Sequence, residues 1–199
     1  DWVPYSSQVG SWNLAIGQNC EAKQVYAQFR DNGNPPLDSE VVSDQIFYDN
    51  YLAAAMTLNE GAPYTNRTMV MINSQDTDAA AGCSGLAAMA FWEAGLTQTV
   101  WISYFPSLYF QLAPEGPITR TVYVTYRDRA NNQGTRSDSI LIDTDAPTGT
   151  APILNNGQPT THLIIPASGL RGYDRAGIAN VWLANSPEGP WMALPYCPS

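Results

Sequence analysis

Short runs of alternating apolar and polar residues, each closed by turn-forming residues, dominate the chain. The clearest is Thr121 to Asp128 (TVYVTYRD), which puts Val122, Val124 and Tyr126 on one side and Tyr123 and Thr125 on the other. A period of two is the signature of a β-strand with one buried face. The turn Ala130-Asn131-Asn132-Gln133-Gly134 follows, then a second run from Ser137 to Asp143 and a linker rich in Asp and Pro. An earlier stretch repeats this order. Val25 to Asp31 (VYAQFRD) precedes the turn Asn32-Gly33-Asn34-Pro35-Pro36 and the run Ser43 to Asp49, with offsets of 97 and 94 residues. Val25, Ala27 and Phe29 take the side held by Val122, Val124 and Tyr126, so the same face is expected to be buried in both copies.

A period near 95 residues organises the remainder. The turn Asn59-Glu60-Gly61-Ala62-Pro63-Tyr64-Thr65 has a counterpart 96 residues later in Asn155-Asn156-Gly157-Gln158-Pro159-Thr160-Thr161. Thr68 to Ile72 reads as a strand and Asp76 to Gly85 as a loop. Leu86 to Trp92 is alanine-rich, which favours a helix. Its partner, Ile178 to Leu183, is β-branched and alternating, so both are predicted as strands. Val100 to Phe105 and Leu108 to Leu112 complete a unit of seven strands. In the last copy the strands are His162 to Ile165 and Ile178 to Leu183, separated by a loop at Tyr173-Asp174. Trp2, Trp101 and Trp191 recur at one position of the period, which points to packing. The prediction is an all-β chain with a complete repeat at 53–147. It is flanked by the back half of a repeat at 1–52 and the front half of one at 148–199.

Composition narrows the function classes. Hydrophobic residues make up 44% of the 199, enough for packed cores, and the 15 Gly and 15 Pro suit many short strands and turns. The net charge is −9, with Lys23 the single lysine, which disfavours phosphate backbones and anionic lipid surfaces. No run of 18 apolar residues exists, and the opening DWVPYSSQ lacks the pattern of a signal peptide. Cys20, Cys83 and Cys197 have no metal-binding spacing. One disulfide with a leftover thiol, a bond between chains, and three free thiols all remain open.

The stretch TVYVTYRD followed by SDSILIDTDAP resembles the bacterial immunoglobulin-like or fibronectin-like tandem repeats of large extracellular surface proteins. The turn Arg129-Ala130-Asn131-Asn132 departs slightly from the Ala-Gly-Asn type of those repeats. Asp49-Asn50-Tyr51 lacks the Thr-x-x-Pro ending, which implies a looser or longer linker there. The resemblance implies immunoglobulin-like β-sandwiches, an extracellular or cell-surface setting and no intrinsic catalysis, hence not an enzyme.

Candidate chemistry is sparse. Asp76 with Asp78, and Asp143 with Asp145, have a spacing that suits calcium. The DxDxDG loop is absent, and solvated turn aspartates are the plainer reading. His162, the single histidine, lies in a predicted strand without a nucleophile elbow or an evident carboxylate pair. No catalytic, cofactor-binding or metal residue is therefore assigned. Asn66-Arg67-Thr68 is an acceptor triplet for glycosylation at a turn.

Two complementary half-repeats cannot each shelter an apolar face. The expected partners are copies of the chain joined head to tail, or flanking repeats of a longer chain, without nucleic acid or membrane insertion. The expected role is a structural building block of a fibre or surface stalk. The alternative is an adhesive or carbohydrate-binding module that meets glycans through exposed rings.

Overall fold

The computed structural model describes residues 2–14, 19–113, 118–163 and 166–195. These form an all-β chain. Its strands are β1 (Glu21–Ala27), β2 (Val42–Tyr48), β3 (Ala55–Leu58), β4 (Tyr64–Thr65), β5 (Met69–Gln75), β6 (Leu86–Glu93), β7 (Ile102–Ser103) and β8 (Ser107–Gln111). They continue with β9 (Thr119–Asp128), β10 (Gln133–Ile142), β11 (Thr148–Gly149), β12 (Ile153–Leu154), β13 (Ala167–Ser168), β14 (Gly172–Tyr173), β15 (Asn180–Leu183) and β16 (Met192–Pro195). One helical turn, α1 (Thr77–Ala80), interrupts the predicted loop after β5. The strand order is β4-β10-β9-β6-β7 in one sheet and β3-β5-β8 in another; the other strands form two-stranded ribbons.

The chain divides into two compact units. The first holds Asp1–Glu60, Met71–Leu108 and Val122–Asp138. Its core draws Leu58 from β3, Ile72 from β5, Met89 and Ala90 from β6, and Val122, Val124 and Tyr126 from β9, all fully buried. The alternation predicted for β9 is the one observed, with Tyr123, Thr125 and Arg127 half-buried on the other side. Tyr126 carries its hydroxyl into this core, where it shares a 2.6 Å hydrogen bond with Ser74 Oγ. Burial pushes the Tyr126 phenol up to about 12, although the Ser74 bond and the Arg136 charge pull it down.

The second unit holds Gly61–Val70, Tyr109–Thr121 and Ser139–Ser199, with Val70, Leu112, Ile140 and Ile142 buried. β10 here pairs in parallel with β4, Leu141 facing Tyr64.

The recurrences in the sequence reappear as recurrent pairings. Leu58 faces Ile72 between β3 and β5, and Leu154 faces Ala167 between β12 and β13, at offsets of 96 and 95 residues. Both hairpins contain the same left-handed turn. Asn59, Glu60 and Gly61 have φ of 46°, 61° and 86°; Asn155, Asn156 and Gly157 have 45°, 52° and 76°. Gln24 faces Gln45 between β1 and β2, and the hydroxyls of their counterparts Thr121 and Ser139 are 2.8 Å apart. Trp2 lies over the Arg30 guanidinium at 4.3 Å, and Trp101 over Arg127 at 4.9 Å.

Several expectations need correction. In the first copy the predicted inner face is open: Val25 is half-buried, Ala27 is exposed and Phe29 is 50% exposed. Of Val100 to Phe105 only Ile102–Ser103 is strand, because Tyr104 and Phe105 instead donate N–H bonds to Ala87 O and Met89 Sδ. His162 and Leu163 are not strand; Ile164 and Ile165 lie outside the described residues. Trp2, Trp101 and Trp191 are 48%, 37% and 51% exposed, so the recurrent tryptophan caps an arginine or faces solvent and does not fill a core.

Replacing Tyr126 by Phe strands Ser74 Oγ in the core and should cost about 1–2 kcal/mol in denaturant unfolding. Ile46, on β2 and 60% exposed, should give less than about 0.5 kcal/mol when changed to Ala in the dissociated chain.

Candidate functional site

Two strands are followed directly by an aspartate that ties the next segment to a distant loop. In the first unit this is Asp49, directly after β2. Its Oδ1 accepts the Tyr51 N–H at 2.9 Å and its Oδ2 the Ser84 N–H at 2.9 Å. In the second unit it is Asp143, directly after β10 and 94 residues later. Its Oδ1 accepts the Asp145 N–H at 3.1 Å and its Oδ2 the Ala176 N–H at 2.9 Å. Both arrangements tie a linker to the loop that precedes the next strand, β6 in one case and β15 in the other. The linker at Asp49-Asn50-Tyr51 is therefore held without the Thr-x-x-Pro ending, and the Asn50 N–H is further taken by Asn19 Oδ1 at 2.8 Å.

The first junction is the more elaborate. Asp49, Asp78 and Asp128 are all buried and bring carboxylate oxygens within 4.8 Å of one another. Asp78, on α1, accepts N–H bonds from Ala53 at 3.1 Å and Gly85 at 2.9 Å. Asp128, ending β9, accepts from the Asn132 backbone and side-chain amides, both at 2.8 Å. The Asn132 amide also donates to the carbonyls of Asp49 and Tyr51. Asp76 caps α1 through Ala79 and receives the Leu86 N–H at 3.0 Å. Gly85 sits among these groups at φ +79°, where a Cβ would come within 2.7 Å of the Arg129 guanidinium.

Burial raises the Asp78 carboxyl above its usual range; its N–H donors oppose this, and the nearby charges of Asp49 and Asp128 add to it. For Asp49 the net direction is the opposite. Burial acts to raise it, but hydrogen bonds from Ser84 and Tyr51 outweigh burial and leave it lowered.

Three carboxylates this close form a donor set of the kind that hard cations use. Their oxygens, however, are turned toward N–H donors, so the arrangement serves to fix backbone. Of the two sequence-predicted pairs, Asp76 and Asp78 lie at this junction and Asp143 and Asp145 at the second. Asp145 is exposed. The decisive residues Asp49, Asp128, Ser84 and Asn132 were not singled out from the sequence. The signal was present, since Asp49 and Asp143 occupy the same position of the period.

Cys20 and Cys83 form a disulfide that closes a 63-residue separation beside Asp49; Cys197 lies outside the described residues. His162 is exposed, and its N–H donates to Thr160 Oγ1. Asn66 is exposed in a bend after β4. Among the described residues no helix is long and apolar enough to cross a membrane. No family model, curated protein or solved structure matches the chain.

Two predictions test the junction. Asp49→Ala leaves the Tyr51 and Ser84 N–H groups without an acceptor and should cost about 1–3 kcal/mol at neutral pH. A lowered carboxyl stabilises the fold above its unfolded value near 3.8, and that gain is lost as pH falls through the lowered value. The gap between wild type and variant, read from urea midpoints, should therefore narrow in acid. Separately, the double change Cys20→Ser and Cys83→Ser should cost about 4 kcal/mol on the loop-entropy estimate, read as an earlier thermal transition.

Proposed function

We propose that the protein is an extracellular structural element made of tandem immunoglobulin-like β-sandwiches, the building block of a head-to-tail fibre or surface stalk. The complete sandwich spans 53–147 and sets the β3-β5-β8 sheet against the β4-β10-β9-β6-β7 sheet. The segment 1–52 supplies the back half of such a domain and 148–199 the front half. The mechanism is mechanical: cross-strand pairing and covered apolar faces carry load from one domain to the next.

One observation carries the reading. The flanking ribbons repeat the pairings of the central strands, yet leave open the residues that the central repeat covers. Ile46 and Tyr48 on β2 are 60% and 38% exposed, whereas their counterparts Ile140 and Ile142 are 1% and 2% exposed. In the other flank Ile153 and Leu154 are each 52% exposed, whereas Leu58, at the position of Leu154, is fully buried. Apolar surface of this kind favours association. The Cys20–Cys83 bond supports an oxidising compartment outside the cytosol. The reading assigns no catalytic residue, cofactor or resident metal.

A second reading, adhesion to polysaccharide, is favoured by isolated exposed rings at Trp12 and Tyr109, 67% and 72% exposed.

Light scattering and electron microscopy of the 199-residue chain test the fibre. Mass should rise with protein concentration, and more steeply when salt screens the −9 charge. A compact monomer under all conditions removes the fibre reading. Sedimentation with insoluble polysaccharides, lost on Trp12→Ala, would instead support adhesion.

A further inference from the structure

We propose that strand β15 of one copy pairs antiparallel with strand β1 of a second copy, in the register that β6 and β9 use within the central repeat. The inference rests on the fibre reading and specifies its joint. In the first unit, β6 pairs with β9 so that Phe91 faces Val124 and Trp92 faces Tyr123. The Trp92 and Tyr123 rings stack at 5.3 Å with 13° between their planes. Val124 and Tyr123 correspond to Ala27 and Tyr26 on β1, 97 residues earlier. Phe91 and Trp92 correspond to Val181 and Trp182 on β15, 90 residues later. The same offset takes Trp101, directly before β7, to Trp191, directly before β16.

The transferred register sets Val181 opposite Ala27 and stacks Trp182 on Tyr26. Both rings are largely open in the single chain, Trp182 at 59% and Tyr26 at 62% exposure. Among the described residues β1 pairs with β2 alone and β15 with β16 alone, which leaves an edge on each without a described partner strand. The occupant of the β1 edge is thus a strand of this same chain, supplied by a neighbour.

The joint has one further consequence. By the correspondence with Trp101 and Arg127, the incoming Trp191 is destined for Arg30. In the free chain that guanidinium lies under Trp2 at 4.3 Å. Trp2 therefore leaves Arg30 as the neighbour arrives.

Cysteine trapping tests the register. Opposed residues of antiparallel strands have Cα atoms about 4.5–5.5 Å apart, within reach of a disulfide. The full chain carrying Ala27→Cys, Val181→Cys and Cys197→Ser, oxidised gently, should give a reducible ladder of dimers and higher species on a non-reducing gel. Ala27→Cys with Leu183→Cys, two residues out of register, should give at least tenfold less. Trp182→Ala should weaken self-association about tenfold by light scattering, while Trp2→Ala should not weaken it.

A monomer crosslinked within itself overturns the second copy as occupant. Equal ladders from the two cysteine pairs overturn the register. Assembly that persists without any ladder overturns this joint and leaves the fibre reading standing. A chain that neither assembles nor crosslinks overturns both.

Discussion

A strand pair holds in water when an apolar face is covered, and an edge left unpaired needs protection. The strands within 53–147 have covered faces, whereas the two-stranded ribbons outside them leave apolar residues open. β9 illustrates the first case: β6 and β10 lie on its two edges, and Val122, Val124 and Tyr126 are fully buried. β1 has the corresponding sequence and, among the described residues, a single neighbour strand; Ala27 at its end and Phe29 beyond it lie open. Two-stranded ribbons are marginal in water on their own. What surrounds a strand, and not its own pattern, decides whether its apolar side is a core or a surface.

The ribbon at the N-terminal end therefore needs anchors of another kind, and the structure supplies polar and covalent ones. The Cys20–Cys83 disulfide fixes the start of β1 to the loop before β6. Asp49 fixes the end of β2 to the same loop through Ser84, and Asn132 holds the carbonyls of Asp49 and Tyr51. These bonds are directional, so they set the course of the chain where apolar packing is thin. Their cost appears at Asp78, whose carboxyl is raised chiefly by burial, with the charges of Asp49 and Asp128 adding to it. At the second junction Asp143 receives Asp145 and Ala176 in the same manner, and Asp174 Oδ1 shares the Ala176 N–H at 2.8 Å, with no disulfide described beside it. The recurrent element is the strand-ending aspartate, and the rest is local elaboration.

The all-β class was legible because period-two alternation survives at β5, β9 and β10. The paired turns at Asn59 and Asn155 were legible because Asn and Gly take the left-handed region at little cost. Burial was not legible in the flanks, since alternation reports which residues share a face and says nothing of what lies against it. Tryptophan recurrence misled for a related reason: Trp2 and Trp101 recur because each caps an arginine, Arg30 or Arg127, which sequence spacing alone does not connect. The junction acids were hidden because their partners are backbone N–H groups, which every residue but proline possesses.

An open strand edge with aromatic residues beside it invites indiscriminate association, and a chain with such an edge at either end needs some discrimination. Net charge supplies the coarse part, because copies carrying −9 repel one another at a distance. The fine part lies in side-chain pairing across the edge. A one-residue slip moves every side chain to the opposite face, so Trp182 would lose Tyr26 and the joint would lose its aromatic stack. A two-residue slip keeps the face but breaks the ring-on-ring contact all the same. The Trp2 ring over Arg30 adds a threshold, since an incoming strand must supply a better partner than the one it displaces. In the proposed joint, a strand that carries tryptophans at the spacing of Trp182 and Trp191 meets both demands. Trp92 and Trp101 have the same spacing, so the proposed joint would be specified by the chain's own sequence.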